Sequence, residues 1–195
     1  MEAALHECTL MLEWPFGSDE VCASNGYRFL RLGSAGLATL AAQSRFDDIW
    51  EFVRNDVSHG LEPPTKEALA EGRAFILLAV QGRRVVGLVS AERLTPDQKL
   101  QCMPDEDSPG LALVEPGVHP HGIFQTAALG IFLIWVRRSE RRKGLASAMV
   151  DVVRQVATLP GQVMASAGQV AFSQPTKLGF AFAKRYAGQA LVYTP

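Results

Sequence analysis

Apolar and polar positions follow two different spacings along this chain, and each spacing predicts a type of element. Residues 26–32 alternate well enough for a first strand, whereas residues 37–54 repeat apolar side chains at helical spacing. Pro63 and Pro64 then end helical structure, because proline has no backbone N–H to donate. The first part of the chain is therefore predicted to form a strand and then a helix.

The middle of the chain changes to the pattern of strands. Residues 74–80 and 84–94 are apolar runs, and the segment Gln81-Gly82-Arg83 between them is typical of a hairpin turn. Residues 95–126 combine prolines, acids and histidines without a regular spacing. A hairpin followed by a long loop is predicted here.

The last third of the chain alternates between the two patterns. Strand-like runs occupy residues 131–136, 169–172 and 190–193, and helical spacing occupies residues 145–158 and 176–186. Alternation of this kind predicts an α/β fold with a mixed central sheet flanked by helices.

Composition limits the domain organisation and the partners. The chain has 195 residues, of which 48% are hydrophobic, which is enough for one domain with a full core. We predict an N-terminal extension over residues 1–24 and a single domain over residues 25–195. The net charge of −1 gives no general attraction to nucleic acid, so no direct nucleic-acid partner is predicted.

The cysteines and the N-terminal residues bear on the compartment. Cys8, Cys22 and Cys102 are odd in number and far apart, which favours neither a disulfide framework nor a metal site and indicates a reducing interior. The first residues lack the basic segment of a secretory signal, and no apolar run reaches membrane-spanning length. We therefore expect an intracellular protein without a membrane partner.

The richest chemistry lies between the strand at residues 131–136 and the following helix. Gly144 and Ala146 are small residues that let backbone N–H groups close around a phosphate, and the helix places its free N–H donors at the same point. Five Lys or Arg residues between positions 137 and 143 add positive charge. The segment predicts a cradle for a large anionic cofactor, although a basic surface turn before an amphipathic helix has the same pattern.

This segment has neither the Gly-Lys-Ser/Thr of a P-loop nor the Gly-x-Gly-x-x-Gly of a Rossmann fold. Through Arg141, Gly144 and Ala146 it resembles the Gln/Arg-x-x-Gly-x-Gly/Ala signature of GCN5-related N-acetyltransferases. Further stretches resemble a narrower group, the Eco/ESCO family of cohesion-establishment acetyltransferases. They are Ile-Trp-Val with the basic loop at residues 134–147, Ala-Phe-Ser-Gln-Pro-Thr at 171–176, Leu-Val-Tyr at 191–193, the helix end at 49–57, and Val-Val-Gly with Ala-Glu at 85–92.

The resemblance implies the GCN5-related fold and acetyl-CoA (coenzyme A) as the cofactor. In that family a strand lies along the acetyl thioester and a loop with a helix start holds the pyrophosphate. The matching cofactor-binding positions here are Ile134, Trp135, Val136, Arg141, Arg142, Lys143, Gly144, Leu145, Ala146 and Ser147.

The resemblance also implies catalytic and substrate-binding positions, with one departure. Gln174 replaces the family's acid, and a glutamine cannot take a proton from a lysine ammonium, whose unperturbed pKa is about 10.4. Asp151 is the remaining acid for that role, although from periodicity it is equally a solvated surface acid. Tyr186 is predicted to protonate the leaving thiolate or else to be a core aromatic. Ser173 and Pro175 are predicted to contact the substrate, with Ser173 also a possible helix cap.

The implied substrate is the ATPase head of a cohesin subunit, in the nucleus, with replication or chromatin factors as further partners. The family's zinc finger has no counterpart here, because His6, Cys8 and Cys22 lack ligand spacing, so no metal site is predicted. Two other functions stay open. One is a catalytically impaired module that binds acyl-CoA or docks on cohesin, which Gln174 favours. The other is a small-amine N-acetyltransferase, which the Lys177-Leu178-Gly179-Phe180 segment favours.

Overall fold

The structure is a computed structural model that describes residues 13–16, 19–33, 35–57, 62–95, 100–102, 127–158, 163–173 and 175–194. Within these ranges it has eight strands and four α-helices. The strands are β1 (Asp19–Ser24), β2 (Tyr27–Leu32), β3 (Ala74–Gln81), β4 (Arg84–Arg93), β5 (Leu100–Cys102), β6 (Leu129–Val136), β7 (Val170–Ser173) and β8 (Leu191–Tyr193). The helices are α1 (Leu40–Val57), α2 (Lys66–Ala70), α3 (Leu145–Ala157) and α4 (Lys177–Ala187). None of the helices in the described ranges has the length and apolarity to cross a membrane.

The chain divides into two compact units, of which the first comprises Met1–Ser90 and Ile134–Val156. Its strands lie in the order β1-β2-β3-β4, and β1, β2 and β3 pair antiparallel. β3 is buried along its length apart from Gln81, and β4 is buried from Val85 to Ala91, which is the pattern of strands covered on both faces. On one of these faces a Cβ at Gly87 would lie 2.6 Å from the Met149 sulfur of α3. The sheet therefore packs closely against α3, which is the helix that begins at the predicted cradle.

The second unit comprises Ala91–Leu133 and Ala157–Pro195. Its strands lie in the order β6-β7-β8-β5, with β6, β7 and β8 parallel and β5 antiparallel to β8. Gly130 of β6 is required by packing: a Cβ there would lie 2.6 Å from the Tyr193 ring and 2.8 Å from a Leu94 methyl. The ring of Tyr193, which is 1% exposed, therefore occupies the space that a side chain at position 130 would need.

One long-range hydrogen bond fixes the turn that precedes α3. Glu140 is only 7% exposed, and its Oε2 accepts from the Tyr27 hydroxyl at the start of β2 (2.6 Å) and from Lys143 Nζ (3.1 Å). These donors hold the pKa of Glu140 below its usual value, the Tyr27 hydrogen bond being the larger cause. The same bond to Glu140, together with burial, raises the pKa of Tyr27, so its hydroxyl stays a donor at neutral pH.

The mixed α/β sheet predicted from the sequence is confirmed, with changes at the edges. The first strand, β1, lies within residues 19–24, which were expected to belong to the N-terminal extension, and the predicted boundary falls in the turn between β1 and β2. Asn25 and Gly26 have φ of +52° and +79° there, which is the conformation of a two-residue hairpin turn and a signal that the sequence carried.

Two further elements were not predicted. The short helix α2 follows Pro64, and Thr65 begins it by accepting a hydrogen bond from the Ala68 N–H. Strand β5 lies inside residues 95–126, which were predicted to be one long loop, and the rest of that segment lies outside the described residues apart from its first position. Both elements are too short for periodicity to reveal, because three to five residues do not complete a pattern.

The packing of Tyr193 over Gly130 predicts the cost of a methyl group at that position. We expect Gly130→Ala to lower the free energy of unfolding by about 1–3 kcal/mol, because a rigid buried ring would have to move. Urea denaturation checks this value. The matched control is Gly33→Ala, where nothing lies within 4 Å of the added methyl. Equal stability of the two variants would show that the ring yields freely.

The bond between Tyr27 and Glu140 predicts a pH-dependent stability. Because the pKa of Glu140 is lowered on folding, its bonds stabilise the fold above the unfolded glutamate pKa, about 4.3, and this is lost as the pH falls through the lower folded value. We expect Tyr27→Phe to cost about 1–2 kcal/mol at pH 7 and less in acid. Thermal unfolding of both proteins between pH 7 and pH 3 measures it. In a Glu140→Gln background the same substitution should cost less, and an equal cost would contradict the assignment.

Candidate functional site

The loop between β6 and α3 has the backbone of an anion-binding turn. Gly144 has a φ of +82° and Arg142 a φ of +65°, and the latter is an unusual conformation for a residue with a side chain. The Gly144 carbonyl accepts the Ala148 N–H at 3.0 Å, so α3 begins directly at the loop. The N–H groups of Leu145, Ala146 and Ser147 therefore lie in the first turn of α3, where helix geometry offers them no partner. They and the positive end of the helix dipole favour a negatively charged ligand.

Asp56, at the end of α1, holds the strand and the loop together. Its Oδ2 accepts from Trp135 Nε1 at 2.8 Å and from Arg141 Nη2 at 3.3 Å. Arg141 Nε also donates to the Val136 carbonyl at 2.8 Å. The guanidinium of Arg141 is thus bound to the protein itself, and its role in this geometry is to position the loop.

Lys143 is engaged in the same way, through Glu140. Of the three basic residues predicted to hold the cofactor, Arg142 alone has a side chain without a hydrogen bond or ion pair to the described residues, and it is exposed. The sequence indicated a single group of positive charges. In the structure Arg141 and Lys143 hold the loop in place, and the side chain of Arg142 is exposed. Glu140 was missed by the sequence reasoning, although an acid inside a run of five bases is itself a signal.

The strand positions of the predicted site differ in what they expose. Trp135 is only 2% exposed, so its side chain belongs to the core, whereas Ile134 and Val136 are partly exposed. The register between β6 and β7 covers three pairs and ends at Ile131 with Phe172, while β6 continues to Val136. The peptide groups of residues 134–136 thus lie beyond the part of β6 that is in register with β7. The predicted role of this backbone, contact with the acetyl thioester, stays a prediction.

Asp151 lies on the exposed face of α3. Its side chain is 50% exposed, and its Oδ1 accepts from Arg154 at 2.8 Å, one helical turn away. This is the geometry of a surface ion pair, which was the alternative interpretation of this acid. Its role as a base stays a prediction.

The predicted substrate and catalytic positions of the second unit fall on β7 and α4. Ser173 ends β7, in register with Tyr193 of β8. The helix cap is Thr176, whose hydroxyl accepts from the Gly179 N–H at 3.2 Å, so the expectation that Ser173 caps α4 is wrong. Pro175 is partly buried. Gln174 lies outside the described residues.

Tyr186 belongs to a row of aromatic rings on α4 and β7. Its ring stacks on Phe182, with centroids 5.6 Å apart and an interplanar angle of 22°, and Phe182 meets Phe172 edge to face at 6.0 Å. The row aligns the ring by packing energy of roughly 0.5–1.5 kcal/mol per pair. This fits the core-aromatic alternative and leaves the predicted acid role of Tyr186 untested.

One buried polar pair in the second unit was not anticipated. The Tyr193 hydroxyl and Glu92 Oε1 are both buried without a hydrogen-bond partner among the described residues. Burial, and then the neighbouring Glu92 carboxylate, raise the pKa of Tyr193, so its hydroxyl stays protonated. No cluster of three or more metal-ligating side chains occurs in the part of the chain that is described. His119 and His121 lie outside that part.

Comparison with known proteins matches the C-terminal part of the chain to one family. The family model described as ESCO1/2 acetyl-transferase matches residues 125–194. N-acetyltransferase ECO1 of Candida glabrata is 31% identical over 119 residues, which are 61% of this chain and 41% of that protein. N-acetyltransferase ESCO1 of Homo sapiens is 30% identical over 160 residues, which are 78% of this chain and 18% of that protein. The chain thus spans less than half the length of either relative.

Solved structures agree on the fold. The xEco2 acetyltransferase domain superposes with a TM-score of 0.68 at 22% identity, covering 93% of this chain and 99% of that chain. The same domain bound to a CoA conjugate also gives a TM-score of 0.68, covering 92% of this chain and 98% of that chain. At this identity the likeness to the solved structures establishes the fold alone. The match of residues 125–194 to the family model and the similarity to the named relatives agree with the resemblance to the Eco/ESCO N-acetyltransferases that the motifs indicated.

Proposed function

We propose that this chain is an acetyl-CoA-dependent lysine N-acetyltransferase. The observation that carries the proposal is the loop at residues 141–144. A glycine in the left-handed region leads directly into a helix whose first N–H groups have no partner within the helix, and two acids, the buried Glu140 and the partly exposed Asp56, hold the loop in place. Similarity to relatives that are named N-acetyltransferases supports the same activity.

The residues present fit coenzyme A. The N–H groups of Leu145, Ala146 and Ser147 and the unpaired guanidinium of Arg142 would hold its pyrophosphate, because helix N-termini and guanidinium groups both favour phosphate. Acetyl-CoA supplies an activated thioester carbonyl. The backbone at Ile134 to Val136 is suited to donate to that carbonyl oxygen, and holding it beside the amine would supply much of the rate enhancement.

The removal of a proton from the lysine ammonium is the least settled step. The one acid of α3, Asp151, is held through Oδ1 in an ion pair with Arg154, whose side chain is largely buried at 13% exposed. Gln174 can orient an amine by hydrogen bonding but cannot take its proton. The Tyr186 hydroxyl is a hydrogen-bond donor and is the candidate to deliver a proton to the leaving thiolate.

The proposed substrate is the ATPase head of a cohesin subunit, which places the protein in the nucleus with replication or chromatin factors as partners. Its support is the similarity to relatives named ECO1 and ESCO1, since the resemblance to that family implies this substrate. A net charge of −1 fits recognition of a protein better than general affinity for nucleic acid.

A second candidate function is a binding module that retains coenzyme A but has lost turnover. Two observations favour it: Gln174 stands where the family motif has an acid, and Asp151 is occupied in an ion pair. Such a module would keep the loop and its two anchoring acids, because these serve binding and not proton transfer.

The choice between the two functions rests on which acid carries the base role. We expect the native chain to transfer labelled acetyl groups to a purified cohesin ATPase head, and Asp151→Asn to lower kcat by about 100-fold or more, the usual worth of a general base. The matched control is Asp48→Asn. This variant removes an exposed acid from an ion pair with Arg45, whose two partners are also three positions apart on a helix.

Each result of this assay has a distinct meaning. An unchanged kcat in Asp151→Asn would remove Asp151 from the mechanism. Binding of acetyl-CoA without transfer in the native chain, restored to transfer by Gln174→Asp, would establish the module. Transfer to polyamines or aminoglycosides, with none to the cohesin head, would instead favour the small-amine enzyme.

The loop geometry predicts a second, independent effect. We expect Gly144→Ala to weaken acetyl-CoA binding by about tenfold or more, because alanine at a φ of +82° strains the backbone and tilts the N–H groups of the cradle. Isothermal titration calorimetry measures the dissociation constant. Gly72→Ala is the control, since Gly72 has a φ of +67° in the same unit but lies at the end of α2. Equal loss of binding in both variants would mean that general destabilisation is the cause.

A further inference from the structure

The first unit contains a pocket that the cradle does not use. Its volume is about 530 Å³, within the range of small-molecule sites. Val86 and Trp135, which are almost fully buried, and Phe52 of α1 form its apolar walls. Its cationic lining comes from Arg84 at the start of β4 and from Arg137 and Arg138, the residues that follow β6.

The acids that also line this pocket are already neutralised. Asp56 accepts from Trp135 and Arg141, and Glu140 accepts from Tyr27 and Lys143. Neither Arg141 nor Lys143 lines the pocket. Each acid is therefore balanced by a cation outside the pocket. Because Arg138 also pairs with Asp56, the positive charge left in the lining is that of Arg84 and Arg137.

Two of these arginines have no partner in the described residues. The side chains of Arg84 and Arg137 make neither a hydrogen bond nor an ion pair there. The third, Arg138, is 84% exposed and forms a long ion pair with Asp56, with Nη2 and Oδ1 4.0 Å apart. The backbone carrying Arg137 is fixed, because its N–H donates to the Val86 carbonyl at 2.9 Å. Guanidinium groups without a protein partner are available to donate to an anion.

We propose that this pocket binds a phosphate monoester carried by a molecule of about nucleotide size. A phosphate monoester carries close to two negative charges and three acceptor oxygens, which suits two unpaired guanidinium groups better than a single carboxylate does. The apolar wall formed by Phe52, Val86 and Trp135 accommodates the sugar or ring that bears the phosphate. Binding at this pocket is independent of whether the chain transfers acetyl groups.

The same chemistry has two sources. One is the 3′-phosphate of coenzyme A, since Arg137 and Arg138 come only a few residues before the loop at residues 141–144. The other is a separate nucleotide that binds while acetyl-CoA occupies the cradle.

The test measures binding of adenosine 3′,5′-bisphosphate, AMP and adenosine to the full chain by isothermal titration calorimetry. We expect adenosine 3′,5′-bisphosphate and AMP to bind and adenosine not to bind. The double variant Arg84→Gln/Arg137→Gln should weaken the binding of both nucleotides by about tenfold or more, since charge-assisted hydrogen bonds are lost. The matched control is Arg73→Gln/Arg83→Gln, which removes two exposed cations of the same unit that do not line the pocket. Circular dichroism and the Tm of both variants confirm folding.

The source follows from two further titrations. If the cofactor's phosphate occupies the pocket, acetyl-CoA competes with the bisphosphate, and the double variant no longer distinguishes acetyl-CoA from its 3′-dephospho form. If the ligand is separate, the bisphosphate binds at saturating acetyl-CoA. Equal phosphate binding by the double variant and the native chain, no phosphate binding at all, or binding of an oligoglutamate peptide alone would overturn the proposal.

Discussion

The buried carboxylate of Glu140 is the point on which the loop at residues 141–144 depends. A carboxylate that is almost fully removed from water costs several kcal/mol unless its lone pairs are satisfied. Here Tyr27 and Lys143 satisfy them, one from the start of β2 and the other from the loop itself. The loop is therefore tied to the sheet by an acid that cannot be moved without leaving a charge unpaired.

Asp56, at the end of α1, holds the loop in a similar way. It binds Trp135 of β6 and Arg141 of the loop, while Arg141 also donates to the last carbonyl of β6. Between them the two acids pair with three of the five basic residues that the sequence concentrates before α3, namely Arg141, Lys143 and, at 4.0 Å, Arg138. The consequence is a rigid loop whose ligand-binding capacity lies in its backbone N–H groups and in Arg142. Because the donors of this loop are ordered before a ligand binds, little conformational entropy is lost on binding, which strengthens binding of a phosphate without adding contacts.

The partners of the arginines also distinguish two anion-binding sites in the first unit. Arg142 belongs to the loop, whereas Arg84 and Arg137 face a pocket whose acids are already balanced. In the second unit the Tyr193 hydroxyl and Glu92 Oε1 are buried without a hydrogen-bond partner among the described residues, and the Tyr193 ring packs on Gly130. Buried polar atoms without partners are uncommon in proteins.

The sequence by itself determined the α/β fold, the main strands and helices, the loop signature and the resemblance to the Eco/ESCO family, because each of these is recorded in local spacing that one segment carries alone. It missed β1, α2 and β5, which are short or lie in segments of mixed composition. The tertiary structure alone decided which basic residues anchor the loop and which remain free. That outcome depends on Tyr27, 113 residues from Glu140 in the chain, and on Asp56, 85 residues from Arg141. A side chain's partner across such a distance is set by how sheet and helices pack, and no local pattern of residues records it.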